Sequence, residues 1–411
     1  MSKLRLAAGV CVVATLLVAC GGASSDEGRH EIYLAASTGE KVRLVASEDA
    51  IQELTWSPDS QRFAFVDHDP YGGAGDVVIV DPMDPDHMTA VEFPGSPDRL
   101  IWSPDGRRLA VSYHTDDKSA LGVVSRDGSG FRKLVERQGV GLIPSVAWTD
   151  GDTILAADTV RFEYRVVAYD AATAESHEYD IEGGGFPGPV LSPDGKRLAW
   201  GEYCGVQNPV PGVWVFELDA GESRRVDTVC GHLTDLAWSP DSSEIAYTAW
   251  YTTTDFRSDP HPETTGGLYV VNLASGKVRR ITDPGPGKVS AYGFGEAVEV
   301  GVEWESDGSG FRVRRDHRYN CADCGDSTTL VLVSPDGSEV IPITEGHVES
   351  TSEDALAYTS DDGFVISPVG GGNGKVVLKH DDEWRFRLAG FSPDGQWIAF
   401  TRFHSGDCVF P

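Results

Sequence analysis

Short apolar runs recur along this chain, and the polar residues between them recur as well. A run ends in an aromatic residue, usually Trp, passes through Ser-Pro-Asp-Gly or Ser-Pro-Asp-Ser, and gives way to a second run. Trp56-Ser57-Pro58-Asp59-Ser60 leads into 62–66, Trp102-Ser103-Pro104-Asp105-Gly106 into 108–112, and Trp238-Ser239-Pro240-Asp241-Ser242 into 244–248. A variable loop comes next. Then a third run appears, such as 77–81 or 268–272, and after a turn a fourth, such as 277–282. Runs of this length, rich in β-branched and aromatic residues and bounded by Gly, Pro, Asp and Ser, predict β-strands.

Two further copies, Leu191-Ser192-Pro193-Asp194-Gly195 and Phe391-Ser392-Pro393-Asp394-Gly395, have the same setting. Weaker copies stand at Trp148-Thr149-Asp150-Gly151, at Trp304-Glu305-Ser306-Asp307-Gly308 and around 350–354. Unit starts therefore fall near 56, 102, 148, 191, 238, 304, 350 and 391. Four short antiparallel strands repeated at this period predict a β-propeller. The fold class is all-β: a single propeller of eight four-stranded blades, with seven as the alternative. Runs at 31–35 and 41–45 look like third and fourth strands, and those at 387–391 and 397–401 like first and second strands. Together they complete one blade and close the ring. Within the phrase, Pro presets φ, Asp and Ser engage backbone amides and Gly accepts positive φ. Its aspartates are thus turn residues, and its Trp or Phe packs between blades. The sixth copy, Ser334-Pro335-Asp336-Gly337, falls between third and fourth strands and starts no blade.

These phrases resemble the TolB-like propeller repeat, related in shape to the tryptophan–aspartate repeat, over nearly everything after residue 30. The resemblance implies the fold; it leaves function open, because such propellers serve as scaffolds, binding proteins and enzymes, some of them lyases. TolB carries an α/β domain ahead of its propeller, for which this chain has no room. The prolyl oligopeptidase family joins a hydrolase domain to a similar propeller, but no Gly-x-Ser-x-Gly elbow occurs here.

The N-terminus adds a location. Lys3 and Arg5 precede an apolar stretch, 6–17, that is too short for a membrane span. It runs into Leu17-Val18-Ala19-Cys20 and a Gly- and Ser-rich segment. This resembles the bacterial lipoprotein lipobox, which implies acylation of Cys20. The expected organisation is a signal peptide at 1–19, a lipidated Cys20 and tether at 20–30, and the propeller at 31–411. The membrane is the outer one of a two-membrane envelope or the single membrane's outer face, and the protein points away from the cytoplasm. Of 411 residues, 64 are Asp or Glu against 34 Lys or Arg, a net charge of −30. Such a field excludes nucleic acid as a partner.

Loops joining second to third and fourth to first strands share one face of a propeller. The long loops fall in those classes: 68–73, 114–119, 203–211, 251–265, 284–297 and 316–328. Rigid scaffolds carry function on variable loops, so this face is the expected binding face. By the same register Cys204, Cys230, Cys321, Cys324 and Cys408 all lie there. Export permits disulfides; Cys204 with Cys230 and Cys321 with Cys324 are the candidate bridges, with Cys408 left over or competing. A zinc reading from His317, Cys321, Cys324, His404 and Cys408 has suitable spacing but draws on blades two apart. We expect no cofactor, no metal site and no catalytic residue. Binding candidates are His232, Asp235, Tyr251, Phe256, His347 and Glu349. The expected function is a monomeric, membrane-anchored binding or scaffold module for an envelope protein or glycan. The alternative is a metal-dependent polysaccharide lyase or hydrolase with its site at the channel mouth.

Overall fold

The computed structural model describes residues 30–404 except 41, 49–50, 68–74, 116, 139–144, 150–151, 161–162, 180–188, 203–211, 229–231, 253–262, 284–286, 291–292, 295–297, 318–326, 346, 353, 361, 369–373 and 380–383. Every regular element among them is a β-strand. The strands form eight sheets, each an antiparallel meander of four, and one sheet carries two further short strands. First strands of successive sheets lie against one another around the axis, which makes them the inner strands. Numbered by inner strand, blades 1 to 7 cover 51–92, 96–138, 145–179, 190–227, 232–280, 298–345 and 347–379. The eighth takes its inner pair from Trp384–Phe391 and Trp397–His404 and its outer pair from His30–Ala36 and Arg43–Glu48. The eight-blade reading and the closure by the two chain ends both hold.

The repeated phrase does the mechanical work expected of it. In blade 1, Ser57 Oγ donates to Asp59 Oδ1 at 2.7 Å and accepts the Arg62 amide at 2.9 Å, while the Gln61 amide donates to Asp59 at 3.1 Å. The same three bonds recur around Ser103, Ser192, Ser239, Ser392 and the displaced Ser334. Burial pushes the carboxyls of Asp59, Asp105 and Asp194 up, but these bonds outweigh it and hold them, with that of Asp241, below the usual range; that of Asp336, bonded first by Ser338, falls to about 2.

Blades are joined by the aromatic residue before the turn. Trp56 Nε1 donates to the Gly390 carbonyl at 2.7 Å, Trp102 to Thr55 at 3.3 Å, Trp148 to Ile101 at 2.9 Å, Trp238 to Val190 at 2.9 Å and Trp304 to Ala237 at 3.2 Å. Each acceptor precedes the matching position of the blade before. Leu191, Thr351 and Phe391 occupy that position in blades 4, 7 and 8 and have no indole to donate. Two turns add a second link. Ser60 and Ser242 stand where other copies have Gly, at φ of 59° and 61°. Their hydroxyls accept the backbone amides of Asp394 and Asp194, one blade back, at 2.9 and 3.1 Å. The core is a series of inter-blade layers, such as Val66 and Val77 of blade 1 with Leu100, Trp102 and Tyr113 of blade 2.

Ring closure has its own polar lock. Arg402 Nε donates to Glu31 Oε2 at 2.7 Å, Tyr33 donates to the same oxygen at 2.8 Å, and the guanidinium lies 5.3 Å from the Tyr33 ring. Burial first, and then the bond to Glu31, push the Tyr33 phenol up to about 12.

Candidate functional site

Second and third strands of each blade meet at the face where outer strands also hand over to the next inner strand. Along the inner strands the ladder slips in several blades, at 52/54, 97/99, 233/235 and 299/301, through bulges. A bulge leaves a backbone amide without a ladder partner. Beside these bulges, two carboxylates reach across to the inner strand of the next blade. Asp235 Oδ2 accepts the Val302 amide of blade 6 at 3.0 Å, and its Oδ1 accepts the Leu236 amide at 2.8 Å. Glu53, at the same distance before its Trp, accepts the Leu100 amide of blade 2. Crowding of the Asp235 carboxyl by protein raises its pKa to about 6, although the two amides and Arg314 pull the other way. Burial raises that of Glu53 too, against Arg99 and the Leu100 amide. Asp235, a binding candidate by sequence, is thus engaged as a strut between blades 5 and 6.

Of the other candidates, His232 opens the inner strand of blade 5 opposite Trp250, and Tyr251 faces Thr265 in the ladder of the same blade. His347 opens the inner strand of blade 7 opposite Thr359, and Glu349 is the residue skipped at its bulge. Phe256, Cys20, Cys204, Cys230, Cys321, Cys324 and Cys408 lie outside the described residues. A pair that sequence reasoning missed sits in blade 2, where His114 Nδ1 lies 3.0 Å from both carboxylate oxygens of Asp98. Its partners are 16 residues apart, and only the inner ladder brings them together. Among the described residues no three His, Cys, Asp or Glu side chains converge as a metal set.

Several expected loops are shorter than the sequence suggested. In blade 2 the strands run to Thr115 and resume at Lys118, so 114–119 is a tight hairpin. Blade 5 departs most. Its second and third strands are Glu244–Thr252 and Glu263–Asn272, against Phe63–Asp67 and Asp76–Val80 in blade 1. The extension is capped by a hairpin from the linker to blade 6: Gly287–Ser290 pairs with the third strand at Glu263 and Thr264 and then with Gly293–Phe294. Blades 1 and 5 share the inner carboxylate strut and the Ser turn. Blade 1 takes its place in the ring with second and third strands of five residues each, against nine and ten in blade 5.

No family model matches the chain. Over 162 residues it is 30% identical to YuxL, an uncharacterized peptidase of Bacillus subtilis, a stretch covering 39% of this chain and 23% of that protein. Over 92 residues it is 28% identical to the Tol-Pal system protein TolB of Alcanivorax borkumensis, covering 22% of this chain and 21% of that one. Each match spans less than a quarter of the relative's length. An oligogalacturonate lyase solved in complex with manganese shares the fold, with a TM-score of 0.51, 14% identity and coverage of 86% of this chain and 97% of that one.

Proposed function

Because the chain is an eight-bladed propeller built of TolB-like repeats, we infer that it is a binding module of the cell envelope. The ring is the rigid part and the loop face takes a protein or glycan partner, while Cys20 holds the protein to a membrane. One observation carries this reading. Blade 5 carries a two-stranded extension on the loop face that makes its sheet six-stranded, with no counterpart among the described residues of blade 1. Binding residues concentrate on segments that project from a rigid scaffold, and this extension is such a segment.

The test is affinity capture from solubilised envelope with the chain from Gly21 onward, against the same protein with 253–262 replaced by a short Gly-Ser turn. A partner retained by the first and lost with the second supports a binding module centred on blade 5. Capture indifferent to the replacement moves the site elsewhere on the face. Turnover of a polyuronate or peptide by the purified protein, dependent on an added divalent metal, would instead establish the lyase or hydrolase alternative.

A further inference from the structure

Among the described residues, blade 4 buries three side-chain atoms that have no hydrogen-bond partner: Trp200 Nε1, Trp214 Nε1 and Ser223 Oγ. All three belong to one face of its sheet. Trp200, only 2% exposed, is directly opposite Trp214 in the ladder of the second and third strands. Their rings lie 8° from parallel with centroids 6.3 Å apart. On the fourth strand, Ser223 is opposite Phe216 and Arg225 is opposite Trp214. This face is turned to blade 3, because Trp200 and Phe216 pack with Leu155, Val166 and Ala168. The same joint lacks the indole-to-carbonyl bond that Trp148 makes one joint earlier, since blade 4 has Leu191 at that position. Blade 4 thus meets blade 3 with donors that nothing on blade 3 answers. Burying a donor without an acceptor opposes folding, so three on one face call for an acceptor held between the blades.

We propose that the joint between blades 3 and 4 binds a small monovalent anion of halide size, held by the two indole N–H groups and the Ser223 hydroxyl. This goes beyond the partner-binding reading above and does not depend on it. The surroundings favour an anion over water. The side chains packed with Trp200 are Leu155, Val166, Ala168, Leu198 and Phe216, and none of them accepts a hydrogen bond. A buried water needs partners for its own protons as well as for its oxygen, and here only Ser223 Oγ can accept. An anion accepts from all three groups and has nothing to donate. Charge points the same way. The Arg225 guanidinium lies 6.0 Å from the centroid of the Trp214 ring, and a buried charge is tolerated where an opposite charge accompanies it. The indole pair sits two rungs from the Glu202–Gly212 end of the blade, which makes the loop face the side of entry.

The melting temperature of the full chain tests the site, measured in sodium chloride and in sodium methanesulfonate at equal ionic strength. Screening of the net charge is the same in both salts, and methanesulfonate is too large for a halide site. A saturable rise specific to chloride is expected. It should be lost when Trp200→Phe and Trp214→Phe are combined, which keeps two aromatic rings and removes both N–H groups. Equal melting in the two salts overturns the site, and so does a chloride-specific rise that survives in the double variant. Chloride line width by NMR gives a second readout. The native protein is expected to broaden the line, and excess bromide, but not methanesulfonate, to narrow it again. Should the double variant fail to fold, Ser223→Ala takes its place in this measurement and is expected to weaken the broadening. No broadening by the native protein, or the same broadening by Ser223→Ala, overturns the proposal.

Discussion

Ser60 and Ser242 show how one residue settles a local conflict. Positive φ costs a residue with a Cβ about 1 kcal/mol, and an intramolecular hydrogen bond returns a similar amount. Ser60→Gly should therefore leave stability within about 0.5 kcal/mol, because both terms vanish together. Ser60→Ala keeps the strain and loses the bond, and should destabilise by about 1 kcal/mol, read from the urea midpoint. Gly337 is a stricter case: at φ 75° an added Cβ would stand 1.8 Å from the Ile281 carbonyl oxygen of the neighbouring blade. Asp235 makes a prediction about pH. Its folded pKa of about 6 lies above the unfolded value of about 3.9, so the folded state binds more protons between them. Stability should fall as pH rises from about 4 to 6, and the penalty should be fully present above that. Glu53 contributes in the same direction. Thermal unfolding across that range should show a shallower fall for Asp235→Asn, whose single carbonyl oxygen can satisfy only one of the two amides. An unchanged slope would remove Asp235 as its source.

At the scale of strands and blades, joints differ. Five joints carry an indole-to-carbonyl bond. Blade 7 has none on either side, because Thr351 and Phe391 replace Trp. In a ring of nearest-neighbour interfaces, the weakest pair of joints opens first. Amide exchange is expected to be faster in the inner strand of blade 7, His347–Thr351, than in that of blade 2, Ser96–Trp102. Comparable protection would show that packing, not the indole bond, sets joint strength. Closure makes a second prediction. Glu31 and Arg402 are each less than a fifth exposed, and removing one partner of such a pair leaves the other uncompensated. Glu31→Ala should cost about 3 kcal/mol and render the N-terminal strands susceptible to limited proteolysis.

Over the whole molecule the acidity has a mechanical consequence. A net charge of −30 repels itself, and salt screens that repulsion. Raising sodium chloride from low to physiological concentration should raise the melting temperature, whereas a ring stabilised mainly by its surface ion pairs would melt lower. The blade 5 extension belongs to this scale as well. Its strands reach the loop face only because the ring beneath holds their bases, and residues as distant as Glu263 and Lys288 pair there.

Blade number, strand order and the role of each Ser-Pro-Asp turn could be read from the chain, because each depends on residues within a few positions of one another. A hydroxyl, a carboxylate and two amides separated by at most five residues meet whatever the rest of the molecule does. The phrase at Ser334 could also be placed between third and fourth strands from its neighbours alone. The loop lengths were less legible: strands run on to Thr115 and Thr252 and resume at Lys118 and Glu263, because a partner strand satisfies the amides there. Three features had no local signature. The Asp98–His114 contact depends on ladder register, the Asp235 strut on an amide 67 residues away, and the indole bonds on which blade follows which. Repeating local chemistry specifies a blade, but contacts between blades exist only once the ring has closed and set neighbouring inner strands side by side.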